Sequence, residues 1–314
     1  MLKSHARFDT LSTVSIDEEG MGTMKIKELF DSRAVTLSFE IFPPKNALSC
    51  DSVIATALDL ATMRPDFISV TYGAGGTSQA NTLEIASTVQ SRAGIPTLAH
   101  LTCVGATRAK IDGTIADLHQ AGIENVLALR GDLPAGMTAD ALADDFHHAS
   151  DLVAVLKAAG FCVGGACYPE GHPESGSRMR DLEHLKIKVD AGCDFLTTQM
   201  FFDNDMLYSF LYQMQSLGIH VPVLAGIMPV TNANQIARMI ELSNAYVPRK
   251  LMQMIDRFRD HPAALRQAGI AYAVDQIIDL VSNGVRGIHI YSMNRSDIAM
   301  EIIRNVSEIL TAAR

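Results

Sequence analysis

The chain has 314 residues, 48% of them hydrophobic, so it can bury the core of one barrel-type domain or of two ordinary domains. Its formal net charge of -9 argues against a nucleic-acid partner, because phosphate backbones bind basic surfaces. No apolar run reaches the length of a membrane span, and the polar N-terminus lacks a signal-peptide core, so we expect a cytoplasmic protein with no membrane partner.

The N-terminus and the cysteines give two further expectations. The polar segment 1–22 predicts a mobile tail, followed by one folded domain over residues 23–314. The chain has 5 cysteines, and none forms a C-x-x-C pair. This favours reduced thiols in a cytosolic protein.

Eight short β-rich runs follow, and segments with helical periodicity separate them. The runs are 36–42, 66–72, 96–102, 125–130, 161–167, 194–200, 221–227 and 286–291, and the clearest helical segments are 51–63, 78–93, 110–121 and 149–159. Strands that alternate with helices form βαβ units and a parallel sheet. Eight units in this length predict an α/β protein with a single (β/α)8 barrel, the TIM-barrel fold.

Two details refine this prediction. Most helical segments end on a glycine, as is common at helix C-termini; these are Gly94, Gly122, Gly160, Gly192, Gly218 and Gly284. The segment before the last strand is longer than the others and predicts extra helices at 232–243, 248–259 and 262–282. Such helices could cover a substrate or contact another subunit, although simple packing is their commoner role.

Glu40 is unusual because it lies within the apolar run 36–42. Burying an ionised, unpaired carboxylate is costly, so the sequence leaves two interpretations. The carboxylate could pair with an Arg or Lys elsewhere in the chain. Alternatively, loss of water would let the group keep a proton near neutral pH and donate it in a reaction.

Polar residues cluster where the predicted strands end, which is where barrel enzymes carry out their chemistry. Glu40 and His100 lie within strands, and polar or glycine-rich segments follow the others at 71–76, 130–132, 168–173, 199, 229–232 and 291–295. We therefore expect an active site at this rim. The segment 73–76 matches neither a dinucleotide fingerprint nor a P-loop, and the histidines lack metal-ligand spacing, so no metal is expected.

Seven motifs carry a family resemblance. In chain order they are SFEIFPP (38–44), VTYGA (70–74), LRGD (129–132), YPEGHPE (168–174), TQMFFD (198–203), GIMP (226–229) and NR (294–295). Together they resemble methylenetetrahydrofolate reductase of the bacterial single-domain type. The likeness runs from about Val35 to the C-terminus. A domain that binds S-adenosylmethionine, as in eukaryotic members, is therefore not expected.

The resemblance implies an enzyme that reduces 5,10-methylenetetrahydrofolate to 5-methyltetrahydrofolate, in the one-carbon chemistry that feeds methionine biosynthesis. FAD would be the cofactor, and NADH or NADPH would be the donor in a ping-pong sequence; family habit favours NADH. Members of this type are commonly homo-oligomers. The alternatives are a (β/α)8 lyase or folate-dependent methyl transferase, or a folate- or flavin-binding barrel without turnover.

The resemblance also implies roles for individual residues. The folate ring must open to an iminium cation, which requires a proton on N10, and Glu40 matches the family's acid. Asp132 matches a carboxylate that stabilises this cation. Thr71 matches a residue near the flavin ring and the nicotinamide, and Gln199, Gln235 and Arg295 match contacts to folate or nicotinamide. The matched FAD positions are Tyr72, Ala74, His100, Arg130, Gly131, Asp132, Ala149, Tyr168, His172, Asp181, His184 and Lys188.

Three positions depart from the family pattern. Ile187 stands where relatives often have an arginine, and His148 replaces a common tyrosine. Met239 falls near a phenylalanine that packs on folate in a relative, and its thioether could still cover a ring. We expect these changes to affect affinity and donor choice more than the type of reaction.

Overall fold

The eight predicted strands form a closed barrel of parallel strands, ordered β1 to β8 around the barrel, so the predicted TIM-barrel fold is confirmed. The computed structural model describes residues 24–44, 50–72, 78–132, 145–243 and 245–313. The expected tail at 1–22 lies outside these residues. The strands are β1 Thr36–Ile41, β2 Phe67–Val70, β3 Thr97–Thr102, β4 Asn125–Leu129, β5 Cys162–Cys167, β6 Phe195–Thr198, β7 Val223–Ile227 and β8 Gly287–Tyr291.

Helices surround the barrel in the described residues. They are α1 Ile26–Ser32, α2 Asp51–Ala61, α3 Ser78–Ala93, α4 Arg108–Gln120, α5 Ala149–Ala158, α6 Arg178–Asp190, α7 Asn204–Ser216, α8 Ala233–Ser243, α9 Arg249–Phe258, α10 Pro262–Ser282 and α11 Ser296–Ala313. The six glycines predicted at helix ends all have positive φ, as a left-handed helix terminus requires. None of the described helices is long and apolar enough to cross a membrane.

The lower end of the barrel interior is apolar and is closed by α1, which was not predicted from the sequence. Inward side chains from β2 to β7 pack there against Ile26, Leu29 and Phe30. The Phe30 and Phe195 rings lie 5.7 Å apart. The buried Asn125 side chain accepts a hydrogen bond of 2.8 Å from the Ile26 N–H and so holds the start of α1. Water is thereby kept from this end of the barrel.

The extra helices α8, α9 and α10 lie at the opposite end of the barrel. They form a separate apolar cluster with residues that follow β6 and β7, including Met200, Met228 and Val230. The α10 backbone comes very close to this cluster, because a Cβ at Gly269 would lie 1.7 Å from the Val230 carbonyl oxygen. The predicted extra helices are therefore present and packed over the rim of the barrel.

Candidate active site

Glu40 lies inside the barrel between two histidines. Its side chain is 8% exposed, and Oε2 lies 3.4 Å from His289 Nε2 and 3.6 Å from His100 Nε2. In the part of the chain that the structure describes, no Arg or Lys pairs with this carboxyl. The arrangement does not support the interpretation that Glu40 serves a structural ion pair with a permanent cation.

Each histidine is held by a serine of a neighbouring strand. His289 Nδ1 lies 2.8 Å from Ser38 Oγ, and His100 Nε2 lies 2.7 Å from Ser69 Oγ. Burial lowers the pKa of His100 to about 4, although the Glu40 charge opposes this shift. His100 is therefore a neutral imidazole at pH 7. A His289 tautomer that accepts the Ser38 hydroxyl at Nδ1 carries its hydrogen on Nε2, facing Glu40.

The turn after β8 fixes the end of the Glu40 strand. The Ser292 hydroxyl donates to the Glu40 carbonyl at 2.5 Å, and the Asn294 side chain both accepts from and donates to the Phe42 backbone at 2.9 Å. Asn294 adopts a φ of 55° to make this contact. Short polar side chains tolerate that conformation better than most residues.

A cavity of about 430 Å³ opens between the ends of β4 and β5 and the helices α5 and α6. Seven of the sequence-predicted FAD residues line it, together with the departures His148 and Ile187. The seven are Arg130, Ala149, Tyr168, His172, Asp181, His184 and Lys188. Residues distant in sequence are therefore brought together in one place. The same helix, α6, supplies the last three.

The cations of this cavity are suited to an anionic group. The Lys188 ammonium is part-buried, burial lowers its pKa, and its Nζ donates to the Ala166 carbonyl at 2.7 Å. Among the described residues Lys188 makes no ion pair. Arg130 makes two contacts with Glu174, at 2.6 and 2.9 Å, and this hydrogen bonding raises the Arg130 pKa. A diphosphate would supply the counter-charge that Lys188 lacks, so the residues present fit FAD.

The other predicted cofactor residues lie elsewhere around the rim. His100 faces Glu40 in the barrel interior instead of the cavity. Thr71 and Tyr72 follow β2, where Thr71 is buried and Tyr72 is half-buried. Gly131 and the exposed Asp132 follow β4, and Gly131 has a φ of 89°. Ala74, with the glycine-rich segment 73–76, lies outside the described residues.

The predicted substrate residues occupy two places. Gln199 follows β6, and its Oε1 accepts from the Met200 N–H at 2.9 Å. Gln235 and Arg295 line a second cavity, of about 460 Å³, beside the turn after β8. Arg295 is held by Asp297 through contacts of 2.9 and 2.8 Å. Met239 lies in the apolar cluster of the extra helices.

Four polar residues near Glu40 received no individual role from the sequence: Ser38, Ser69, His289 and Tyr291. The register places Tyr291 beside Glu40 and His289 beside Ser38. The Tyr291 hydroxyl donates to the Thr198 carbonyl at 2.6 Å. Alternate residues of a strand point to the same side, and these four residues occupy the positions that point into the barrel. The sequence carries no other signal for them, and this one can be recognised only when the register of the strands is known.

Solved structures with similar folds include an uncharacterised protein from Clostridium thermocellum, described as binding two copies of 5-methyl-5,6,7,8-tetrahydrofolic acid. It is 11% identical, with a TM-score of 0.63, and the match covers 92% of this chain and 100% of that one. Dihydropteroate synthase from Xanthomonas albilineans matches with a TM-score of 0.51 at 16% identity, covering 89% and 94% of the two chains. At these identities the likeness concerns the fold alone.

Sequence comparisons are more specific. The sequence model of the methylenetetrahydrofolate reductase family matches residues 25–307. The 5,10-methylenetetrahydrofolate reductase of Escherichia coli (strain K12) is 36% identical over 270 residues, which cover 85% of this chain and 89% of the relative. Methylenetetrahydrofolate reductase (NADH) 1 of Arabidopsis thaliana is 33% identical over 91% of this chain but only 50% of the relative. The chain therefore belongs to the methylenetetrahydrofolate reductase family of oxidoreductases.

Proposed function

We propose that this protein reduces 5,10-methylenetetrahydrofolate to 5-methyltetrahydrofolate, with FAD as cofactor and NADH as donor in a ping-pong sequence. The observation that carries the proposal is Glu40, a buried carboxyl inside the barrel with histidines on both sides. Family membership supports the folate reaction, and the names of plant relatives support NADH. A homo-oligomeric state and a cytoplasmic location stay predictions.

Glu40 would deliver the proton that opens the folate ring. Among the described residues, the ionisable side chains that contact the Glu40 carboxyl are His100 and His289, and His100 is neutral at pH 7. Placed beside N10 of the folate, that proton would be available for general-acid catalysis.

Residues of the α5–α6 cavity would hold the cofactor. Lys188, Arg130 and His172 would bind the diphosphate, and release of Arg130 from Glu174 would free both of its terminal guanidinium nitrogens. When bound, FAD would accept reducing equivalents from the donor and pass them to the folate. Asp132, exposed at the rim beyond β4, would stabilise the folate cation electrostatically.

The proposal is tested by comparing two half-reactions of the Glu40→Gln variant, loaded with FAD. We expect folate reduction to fall by about 10²–10⁴-fold, the usual contribution of a general acid. Reduction of the flavin by NADH should be nearly unchanged, because that step needs no proton on N10. Stopped-flow absorbance of the flavin measures both rates.

Glu308→Gln is the matched control, because Glu308 is an exposed glutamate on α11. It should leave both half-reactions unchanged. Equal loss of both rates in Glu40→Gln would show that Glu40 shapes the flavin site and would refute the acid assignment. Failure of the unsubstituted protein to bind FAD would refute the proposed cofactor.

A further inference from the structure

We propose that Glu170 is a positioning residue, which ties the connection between α8 and α9 to the loop after β5 and so fixes α8 over the barrel rim. This connection, residues 245–248, is here called the α8–α9 connection. Glu170 lies between the predicted FAD residues Tyr168 and His172 and has no predicted role of its own. The contact stands on the structure alone, and only its effect on the substrate rests on the proposed function.

The Glu170 side chain contacts the α8–α9 connection instead of the cofactor cavity. Tyr168 and His172 line the α5–α6 cavity, whereas Glu170 does not. Glu170 Oε2 accepts a hydrogen bond of 2.6 Å from the Tyr246 N–H, across 76 positions of the sequence. This is the one hydrogen bond that the carboxyl makes among the described residues. Because hydrogen bonds are directional, it fixes where residue 246 lies relative to the loop after β5.

The surroundings of the Glu170 carboxyl indicate a role beyond stability. Oε1 is buried without a hydrogen-bond partner in the part of the chain that the structure describes. Burial raises the pKa of Glu170, although the Tyr246 N–H and the charge of Arg178 oppose this shift. Buried polar atoms without a partner lower stability and call for an explanation. Positioning of the α8–α9 connection explains why the side chain is held in this place.

The loop that carries Glu170 is held by contacts that do not involve its carboxyl. The Gly171 N–H donates to the Tyr168 carbonyl at 2.9 Å, and Arg178 Nε donates to the Glu170 carbonyl at 3.3 Å. The rings of Tyr168 and His172 meet edge to face, with centroids 4.6 Å apart. The loop should therefore keep its shape, and the cofactor cavity its lining, when the carboxyl is removed.

The α8–α9 connection sets where α8 ends. At the start of α8, the Asn232 side chain accepts from the Gln235 N–H at 3.0 Å and so caps the helix just after β7. At the other end, Ala245 is buried in the apolar cluster of the extra helices, and the next N–H is the one that Glu170 accepts. A helix of 11 residues is about 16 Å long, so contacts at both ends fix its tilt.

The position of α8 matters because two residues with predicted substrate contacts lie on it. Gln235 matches a contact to folate or nicotinamide, and Met239 falls near a position that packs on folate. The loop after β5 leads into α6, which lines the cofactor cavity. Glu170 therefore joins the cofactor side of the rim to the substrate side. Its loss should weaken substrate binding and leave cofactor binding intact.

The contact is tested by amide hydrogen exchange, measured by mass spectrometry on peptides that cover residues 245–250. The proteins are Glu170→Ala and the unsubstituted full chain. We expect the Tyr246 amide to exchange about tenfold faster in the variant, as for the loss of one hydrogen bond to a carboxyl. Peptides from the barrel strands should exchange alike in both proteins, which shows that the variant is folded.

The positioning role is tested by steady-state kinetics of the same proteins loaded with FAD. We expect Glu170→Ala to raise KM for methylenetetrahydrofolate by about fivefold to tenfold, as for the loss of part of the substrate contacts. The kcat and the Kd for FAD should change by less than about twofold. A general loss of structure would instead lower kcat and FAD affinity together with stability.

Three variants provide controls. Glu183→Ala removes an exposed glutamate of α6 and should change neither exchange nor KM. Tyr246→Ala removes an exposed ring but keeps the N–H, so residue 246 should stay protected. Glu170→Gln keeps an acceptor oxygen and should retain more protection and a lower KM than Glu170→Ala. The glutamine variant also serves if the alanine variant fails to fold.

Each result supports or overturns the assignment. Unchanged exchange at residue 246 in Glu170→Ala, or faster exchange with an unchanged folate KM, would overturn it. Equal losses in Glu170→Gln and Glu170→Ala, or a parallel loss of FAD affinity, would also overturn it. Absence of folate reduction in the unsubstituted enzyme would refute the proposed function, while the exchange measurement would still report on the contact.

Discussion

At the scale of single residues, the carboxyl of Glu40 is surrounded by groups that hydrogen-bond without carrying a fixed charge. His100 Nε2 and His289 Nε2 face Oε2 from opposite strands, and Ser69 and Ser38 hold the two rings. Two ring nitrogens therefore lie close to Glu40 Oε2, and neither belongs to a permanent cation. Such an environment suits a group that must both hold and release a proton.

The depressed pKa of His100 predicts how stability depends on pH. The unfolded chain binds a proton at this position below its ordinary value of 6.5, but the folded chain does so only below about 4. Between these values the unfolded state binds more protons, so stability is lost as pH falls. The contribution of His100 is about 3–4 kcal/mol at most. Urea unfolding of the FAD-free protein at pH 7 and at pH 4.5 measures it.

His100→Gln should flatten this pH dependence, since glutamine does not titrate. His220→Gln changes an exposed histidine and should leave the dependence as it is in the unsubstituted protein. If the slope between pH 4.5 and pH 7 were the same in all three proteins, His100 would not be the group that titrates on unfolding.

Glu40 could be singled out from the sequence because charged side chains are rarely found within a buried apolar strand. The partners of Glu40 could not be identified in the same way. His289 and Ser38 are ordinary polar residues in sequence, and they meet only because β1 pairs with β8 at a register that closes the barrel. That pairing joins residues about 250 positions apart, and local patterns do not determine such contacts.

At the scale of elements, helix α10 is held against the barrel rim by a contact that only glycine permits. Gly269 faces the Val230 carbonyl, and a Cβ at this position would lie 1.7 Å from that oxygen. The close atoms belong to the Val230 backbone, which cannot rotate away as the end of a flexible side chain can. A side chain at position 269 would therefore force α10 to move.

Gly269→Ala should therefore destabilise the protein by about 1–3 kcal/mol or more, as overpacked cores usually do. Gly113→Ala is the matched control, because Gly113 lies within α4 and a Cβ added there would have no neighbouring atom within 4 Å. It should stabilise by about 0.5–1 kcal/mol, since alanine favours a helix interior. Urea unfolding of both variants compares them, and equal effects would show that the Val230 contact does not constrain α10.

The order and positions of the eight strands were predictable because each strand run and helix end has a local signal. The six helix-ending glycines are examples, since positive φ is a property of the turn itself. Gly269 and α1 were not predicted. Gly269 is required by a neighbouring strand end, and α1 is a helix of 7 residues stabilised by the barrel floor, with little periodicity of its own.

At the scale of the whole molecule, the barrel interior divides into an apolar floor and a polar upper end. Phe67, Leu98, Leu127 and Phe195 fill the floor with the side chains of α1, while Glu40 and its histidines lie nearer the strand ends. Residues that stabilise the fold are therefore separate from the residues of the candidate active site. The floor closes the barrel with apolar side chains and the buried Cys162 thiol, and the rim is free to carry the ligand sites.

Phe30 of α1 provides the test of this division, because it is 4% exposed and packs within the floor cluster. Phe30→Ala should destabilise the protein by about 3–5 kcal/mol, through lost burial and the cavity left behind. The control Tyr212→Ala removes an aromatic ring that is 73% exposed and should change stability by no more than about 0.5 kcal/mol. Below the unfolding temperature of Phe30→Ala, both half-reactions should keep their unsubstituted rates, because the floor lies at the opposite end from the rim. A loss of folate reduction in folded Phe30→Ala would show that the floor takes part in shaping the active site.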